Sequence, residues 1–135
     1  APLTALVLIS AATIRPSLLE YVSSTTGAPN SDASYELRLR RFTAAGTSTA
    51  VTPTATDPND PAATLTAGSN CTVEPTYSAG VIDDRGINPR ATFRWVSYDQ
   101  RSEIIMPATV ANGLGFLVNV LGGASSVLVD AKVMQ

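Results

Sequence analysis

The side chains able to do chemistry are few. There is no histidine in the 135 residues, so imidazole general bases, His-dependent triads and Cys/His zinc sites are excluded. The carboxylates that lie closest in sequence are Asp83-Asp84 and those of Asp57-Pro58-Asn59-Asp60. Neighbouring Asp residues on a strand point to opposite faces, and in a turn they cap backbone amides, so neither pair is placed to share a proton across a cleft. The second string has the oxygen chemistry of a calcium site without the ligand count. Cys71, the one cysteine, cannot form a disulfide within the chain and has no basic neighbour in sequence to activate it, which predicts a small packed side chain. Asn70-Cys71-Thr72 fits the glycosylation pattern only formally, because a free thiol argues against an oxidising compartment. No metal, cofactor or catalytic group is expected, and the chain reads as a non-enzyme.

Two further groups could serve recognition. Phe93, Trp95 and Tyr98 fall on one expected strand; Phe93 and Trp95 share a face, where packing into the core is the default role. An exposed Trp95 and Tyr98 in a groove would instead mark a carbohydrate-binding module. Arg38 and Arg40 share the face opposite Leu37 and Leu39, so they point to solvent or to a partner. Eleven acidic residues against nine basic ones give a net charge of -2, without the basic excess that nucleic acid requires. No apolar run approaches the roughly 20 residues of a spanning helix, so no membrane is expected as a partner either.

The elements that position these residues are strands. Period-two alternation runs through Tyr35, Leu37 and Leu39, and similar stretches are read at 4–11, 17–23, 92–98, 103–106, 114–121 and 125–133. Gly122-Gly123 predicts a hairpin joining the last two, and a short helical turn is allowed near Ala108 to Asn112. With 44% hydrophobic and 15% charged residues, one domain with a single core is expected. The fold class predicted from this pattern is all-β, antiparallel, in a single domain spanning 1–135. Between Thr43 and Thr72 the chain is Thr, Ala, Ser, Gly and Pro, charged only at Asp57 and Asp60, and not strand-like. Loops that long are uncommon within a domain. An extended arm docked on another surface is the expectation, stiffened by the prolines at 53, 58 and 61.

The string from Arg41 to Pro53, Asp57-Pro58 with Asp60-Pro61-Ala62-Ala63, Val73-Glu74-Pro75-Thr76-Tyr77, the run Arg90 to Val96, Met106-Pro107-Ala108-Thr109 and Ala111-Asn112-Gly113 together resemble a family of small structural proteins of tailed bacteriophages. The opening that ends in Ser10-Ala11-Ala12-Thr13-Ile14-Arg15-Pro16 is similar to theirs as well. The resemblance implies a single-domain antiparallel β-sandwich, jelly-roll-like, that serves as a capsid cement or decoration protein on the surface of the virion, with the major capsid protein as partner. It carries no catalytic motif. The resulting expectation is a homo-oligomer, a trimer on local threefold positions, that bridges capsomers. Its contacts are expected from the start of the chain, Leu3 and Leu6, from the arm at Thr43, Thr47, Thr49, Val51, Pro53 and Asp57, and from Arg38 and Arg40. A tail or fibre component is the alternative within structural proteins. A small hydrolase would need two carboxyls converging in a pocket.

Overall fold

Alternation of large apolar and polar side chains sets most of the strands. In the computed structural model, which describes residues 2–27, 32–121 and 126–135, Tyr35, Leu37 and Leu39 are each at most 2% exposed while Glu36, Arg38 and Arg40 face the other way. The strands in chain order are β1 (Leu3–Ile9), β2 (Ser17–Thr26), β3 (Tyr35–Ala44), β4 (Thr47–Val51), β5 (Thr66–Val73), β6 (Thr76–Tyr77), β7 (Asp83–Ile87), β8 (Phe93–Val96), β9 (Ile104–Ile105), β10 (Gly113–Val120) and β11 (Ser126–Met134). No helix is present among the described residues.

The strands form two antiparallel sheets. The larger runs β4-β5-β1-β10-β3-β6, with β7 also on β3; the smaller runs β11-β2-β8, with β9 also on β2. Leu8, Leu37, Leu39, Leu114 and Phe116 of the larger sheet pack on Leu18 and Tyr21 of the smaller one, with Leu65 and Met106 closing the core. Each buried aliphatic or aromatic side chain contributes about 1.5 to 3 kcal/mol. This is the antiparallel β-sandwich expected, with one feature beyond it: the sheets curl into a half-barrel.

The curl builds a second, smaller core. Val7, Phe42 and Leu117 are buried but belong to the face turned away from the smaller sheet, because Val7 pairs with Gly115, Phe42 with Gly113 and Leu117 with Arg38. Tyr77 lies over this face. A Cβ on Gly115 would stand 2.3 Å from the Tyr77 hydroxyl, so only glycine leaves room for the ring. The Tyr77 hydroxyl is 2.6 Å from Thr4 Oγ1, and Thr4 donates both its backbone N–H and its hydroxyl to the Glu74 carboxylate. Arg40 lies over the Tyr77 ring at 5.1 Å and donates to the Ser78 carbonyl oxygen.

Burial pushes the Tyr77 hydroxyl from 10.0 up to about 12. Folding therefore favours the neutral phenol; that contribution is complete below pH 10 and is lost as pH rises through 12. Tyr21 and Tyr35 are raised in the same direction, also chiefly by burial. The thermal midpoint should fall progressively between pH 10 and 12, with phenolate absorbance near 295 nm rising in step. A midpoint flat across that interval would contradict the packing of these rings.

Three expectations are corrected. The 43–72 stretch is not an arm leaving the domain: it supplies β4 and β5, which pair with each other, and β5 pairs with β1. Small residues are what this edge requires, since the Ser48 side chain fills the space a Cβ on Gly68 would take. The last two long strands are not a hairpin, because β10 pairs with β1 and β3 while β11 pairs with β2 in the other sheet; the Gly122-Gly123 turn lies outside the described residues. Segment 108–112 is a tight turn closed by Asn112 N–H to the Thr109 carbonyl, with Ala111 at φ 69°, and contains no helix. Phe93 and Trp95 face the core as expected but are only half-buried.

Candidate functional site

The sandwich is open along one side. There β4 ends the larger sheet and β11 ends the smaller one, and each pairs with a single neighbour, β5 and β2 respectively, among the described residues. Between them lies a groove of about 430 Å³. Its walls are Leu6, Leu8 and Ala67 on the larger sheet, Val51 and Pro53 where β4 runs out, and Val129, Ala131 and Val133 on β11, with Asp130, Lys132 and Gln135 also lining it. Gln135 fixes the floor: its Oε1 accepts from the Thr64 backbone N–H at 3.1 Å, the Thr64 hydroxyl at 2.7 Å and the Leu65 N–H at 3.3 Å.

Sequence reasoning about Leu6, Val51 and Pro53 converges here, since all three line the groove. Thr47 and Thr49 share the Val51 face of β4 and are exposed. The remaining candidates lie apart. Leu3, 62% exposed, stands at the start of β1 opposite Val118. Thr43 donates to the Thr76 carbonyl, and the Asp57 carboxylate accepts the Asn59 N–H within its own turn. Arg38 is paired with Glu36 and Asp84 at the surface, whereas Arg40 is held against Tyr77. The β11 wall escaped the sequence reading. Alternation over 125–133 marks the strand, but the Gly122-Gly123 spacing pairs it with 114–121, away from β4.

The other chemistries are not assembled. Trp95 stacks on Tyr21 at 5.6 Å and 22°, Phe93 tilts against the same ring at 5.9 Å, and the Arg85 guanidinium sits 4.7 Å over Phe93. Tyr98, 88% exposed, lies beyond the end of β8 rather than on the strand with Phe93 and Trp95 as expected, and neither of those two rings stands exposed beside it. Asp83 accepts the Tyr21 hydroxyl and is held by Arg85, while Asp84, on the opposite face, pairs with Arg38. Burial, and then the neighbouring Glu74 charge, raise the Cys71 thiol, the direction opposite to activation. Among the described residues no three His, Cys, Asp or Glu side chains gather to hold a metal.

What the geometry offers is a contact surface: a row of backbone donors and acceptors along each of two strand edges, with an apolar slot between them. Comparison of the chain with protein-family models, with curated proteins and with solved structures finds no match.

Proposed function

We propose that this chain is a non-enzymatic cement protein of a tailed-bacteriophage head, which assembles on the shell as a trimer at local threefold positions and bridges capsomers of the major capsid protein. The observation that carries the reading is the open side of the sandwich, where a strand edge at β4 borders an apolar groove formed by Leu6, Val51 and Pro53. An extended capsid segment laid along β4 would gain main-chain hydrogen bonds from the edge and side-chain specificity from the groove. Repetition over many copies turns weak single contacts into firm attachment. The resemblance of strings such as Arg41 to Pro53 to phage structural proteins supports the same reading.

The test is binding to capsids assembled without this protein. Val51 is 41% exposed, so Val51→Asp together with Pro53→Asp should leave the fold intact. Affinity for such shells should drop by about tenfold or more, the effect of losing roughly 1.4 kcal/mol at each site of contact. Binding equal to that of the unaltered chain would remove the groove from the interface. Failure of the unaltered chain to bind shells would overturn the cement reading itself.

A further inference from the structure

The free edge of β11 is self-complementary, and we infer that it pairs with β11 of a second copy, antiparallel, about a twofold axis at Ala131. Side chains of β11 alternate: Val129, Ala131 and Val133 turn inward, while Leu128, Asp130, Lys132 and Met134 turn outward. Leu128 and Met134 are 49% and 51% exposed, a large apolar exposure for an edge strand. One side of the nine-residue strand is bonded to β2, and no described segment bonds to the other. The edge has neither a proline nor an inward-pointing charge to discourage pairing.

Register selects the partner. Two copies of one strand joined in a continuous sheet must oppose side chains of the same face, so the axis passes through a residue rather than between two. An axis at Asp130 would set Asp130 against its own copy and Lys132 against Leu128. An axis at Lys132 would set Lys132 against itself and Asp130 against Met134. An axis at Val129 would leave both charges facing Leu128 and Ser126. With the axis at Ala131, Asp130 of each copy meets Lys132 of the other, Leu128 meets Met134 and Val129 meets Val133. Every position between 128 and 134 then finds a matching partner, over seven of the nine strand residues, whereas the full overlap given by an axis at Asp130 would set like charge on like.

The charges reinforce one another. Within one chain Lys132 Nζ already lies 3.2 Å from Asp130 Oδ2. Across the axis the four charges form a square in which every side joins opposite signs. Lys132 also stands opposite Glu20 on β2, so it would sit between two carboxylates. A heterologous edge contact could propagate into a filament, whereas this isologous one closes on itself and uses up both edges. The contact needs no shell; if the cement reading also holds, it would join trimers across the twofold positions that separate them.

The experiment uses the full chain in analytical ultracentrifugation. The unaltered protein should show a monomer–dimer equilibrium. Asp130→Lys alone, or Lys132→Asp alone, turns both cross-axis pairs into like charges and should weaken dimerisation by about tenfold to a hundredfold. Mixing the two single variants restores opposite signs across the axis, so the mixture should dimerise again. Register is read separately in a Cys71→Ser background. Leu128→Cys and Met134→Cys chains should form a mixed disulfide when combined, and neither should cross-link with itself, because identical positions lie about 20 Å apart along the paired strands. An unaltered chain that stays monomeric at millimolar concentration, single reversals without effect, a mixture that fails to recover, or self-linking of Leu128→Cys would each overturn the pairing.

Discussion

Replacing Tyr21 with alanine is expected to lower the stability of the domain by about 3 to 5 kcal/mol, the range for removing a large aromatic from a packed core. Tyr21 is 1% exposed and is the ring through which the two sheets meet. Phe116 of the larger sheet lies edge-on at 5.4 Å, and Trp95 and Phe93 of the smaller sheet at 5.6 and 5.9 Å. Truncation would leave a cavity bounded by all three. It would also strand Asp83, whose carboxylate accepts the Tyr21 hydroxyl while held by Arg85 at 3.1 Å. Tyr21→Phe separates these contributions, because it keeps the ring and removes only the hydrogen bond, at about 1 to 3 kcal/mol. Trp95→Ala should cost less than Tyr21→Ala, since Trp95 is only half-buried. Urea denaturation of the three variants at constant slope checks the order. A loss below about 1.5 kcal/mol for Tyr21→Ala would mean that the sheets are held together elsewhere.

The order of those effects could not be read from the sequence, and the reason is physical. Tyr35, Leu37 and Leu39 announce β3 because each large side chain needs a core and alternation places it there. Thr47–Val51 and Thr66–Val73 announce nothing, because their stability comes from neighbours. Their small residues are what let Ser48 settle over Gly68 beside Val7, a requirement set by the curl of the sheet rather than by local propensity. The partner of β11 was illegible for a related reason. A strand that alternates every second residue fits a hairpin with β10 or a ladder with β2 equally well, and the choice is made by long-range packing. The length and composition of the 43–72 segment single out Val51 and Pro53 as contact candidates, and they line the groove with Leu6 of β1, but the wall that faces them on β11 depends on that non-local choice. Composition excludes imidazole chemistry and a disulfide within these 135 residues, since a side chain that is missing, or that has no second copy to pair with, needs no fold to interpret it.

Gly46→Ala should be among the most damaging small substitutions, at about 2 to 5 kcal/mol, because it combines two penalties. Gly46 sits at φ 69°, where a Cβ costs about 1 to 2 kcal/mol. That Cβ would also stand 2.2 Å from the Val73 carbonyl oxygen and 2.9 Å from both the Glu74 carbonyl carbon and the Pro75 nitrogen, all of them backbone atoms that no rotamer change can move. Relieving such a clash costs about another 1 to 3 kcal/mol. Gly80 supplies the control. Its φ is 97°, yet a Cβ there would meet nothing within 4 Å, so Gly80→Ala should carry the conformational penalty alone. The difference between the two variants measures how tightly the β3–β4 turn is pressed against the segment joining β5 to β6. That segment holds Glu74 on Thr4 and delivers Tyr77 over Gly115, so pushing it outward should open the small core. The Tyr77 hydroxyl, held up to about 12 by burial, should then titrate closer to 10.0 in Gly46→Ala and stay high in Gly80→Ala. Equal stability losses and unchanged tyrosine titration in the two variants would show that the turn at Gly46 is not what keeps the half-barrel closed.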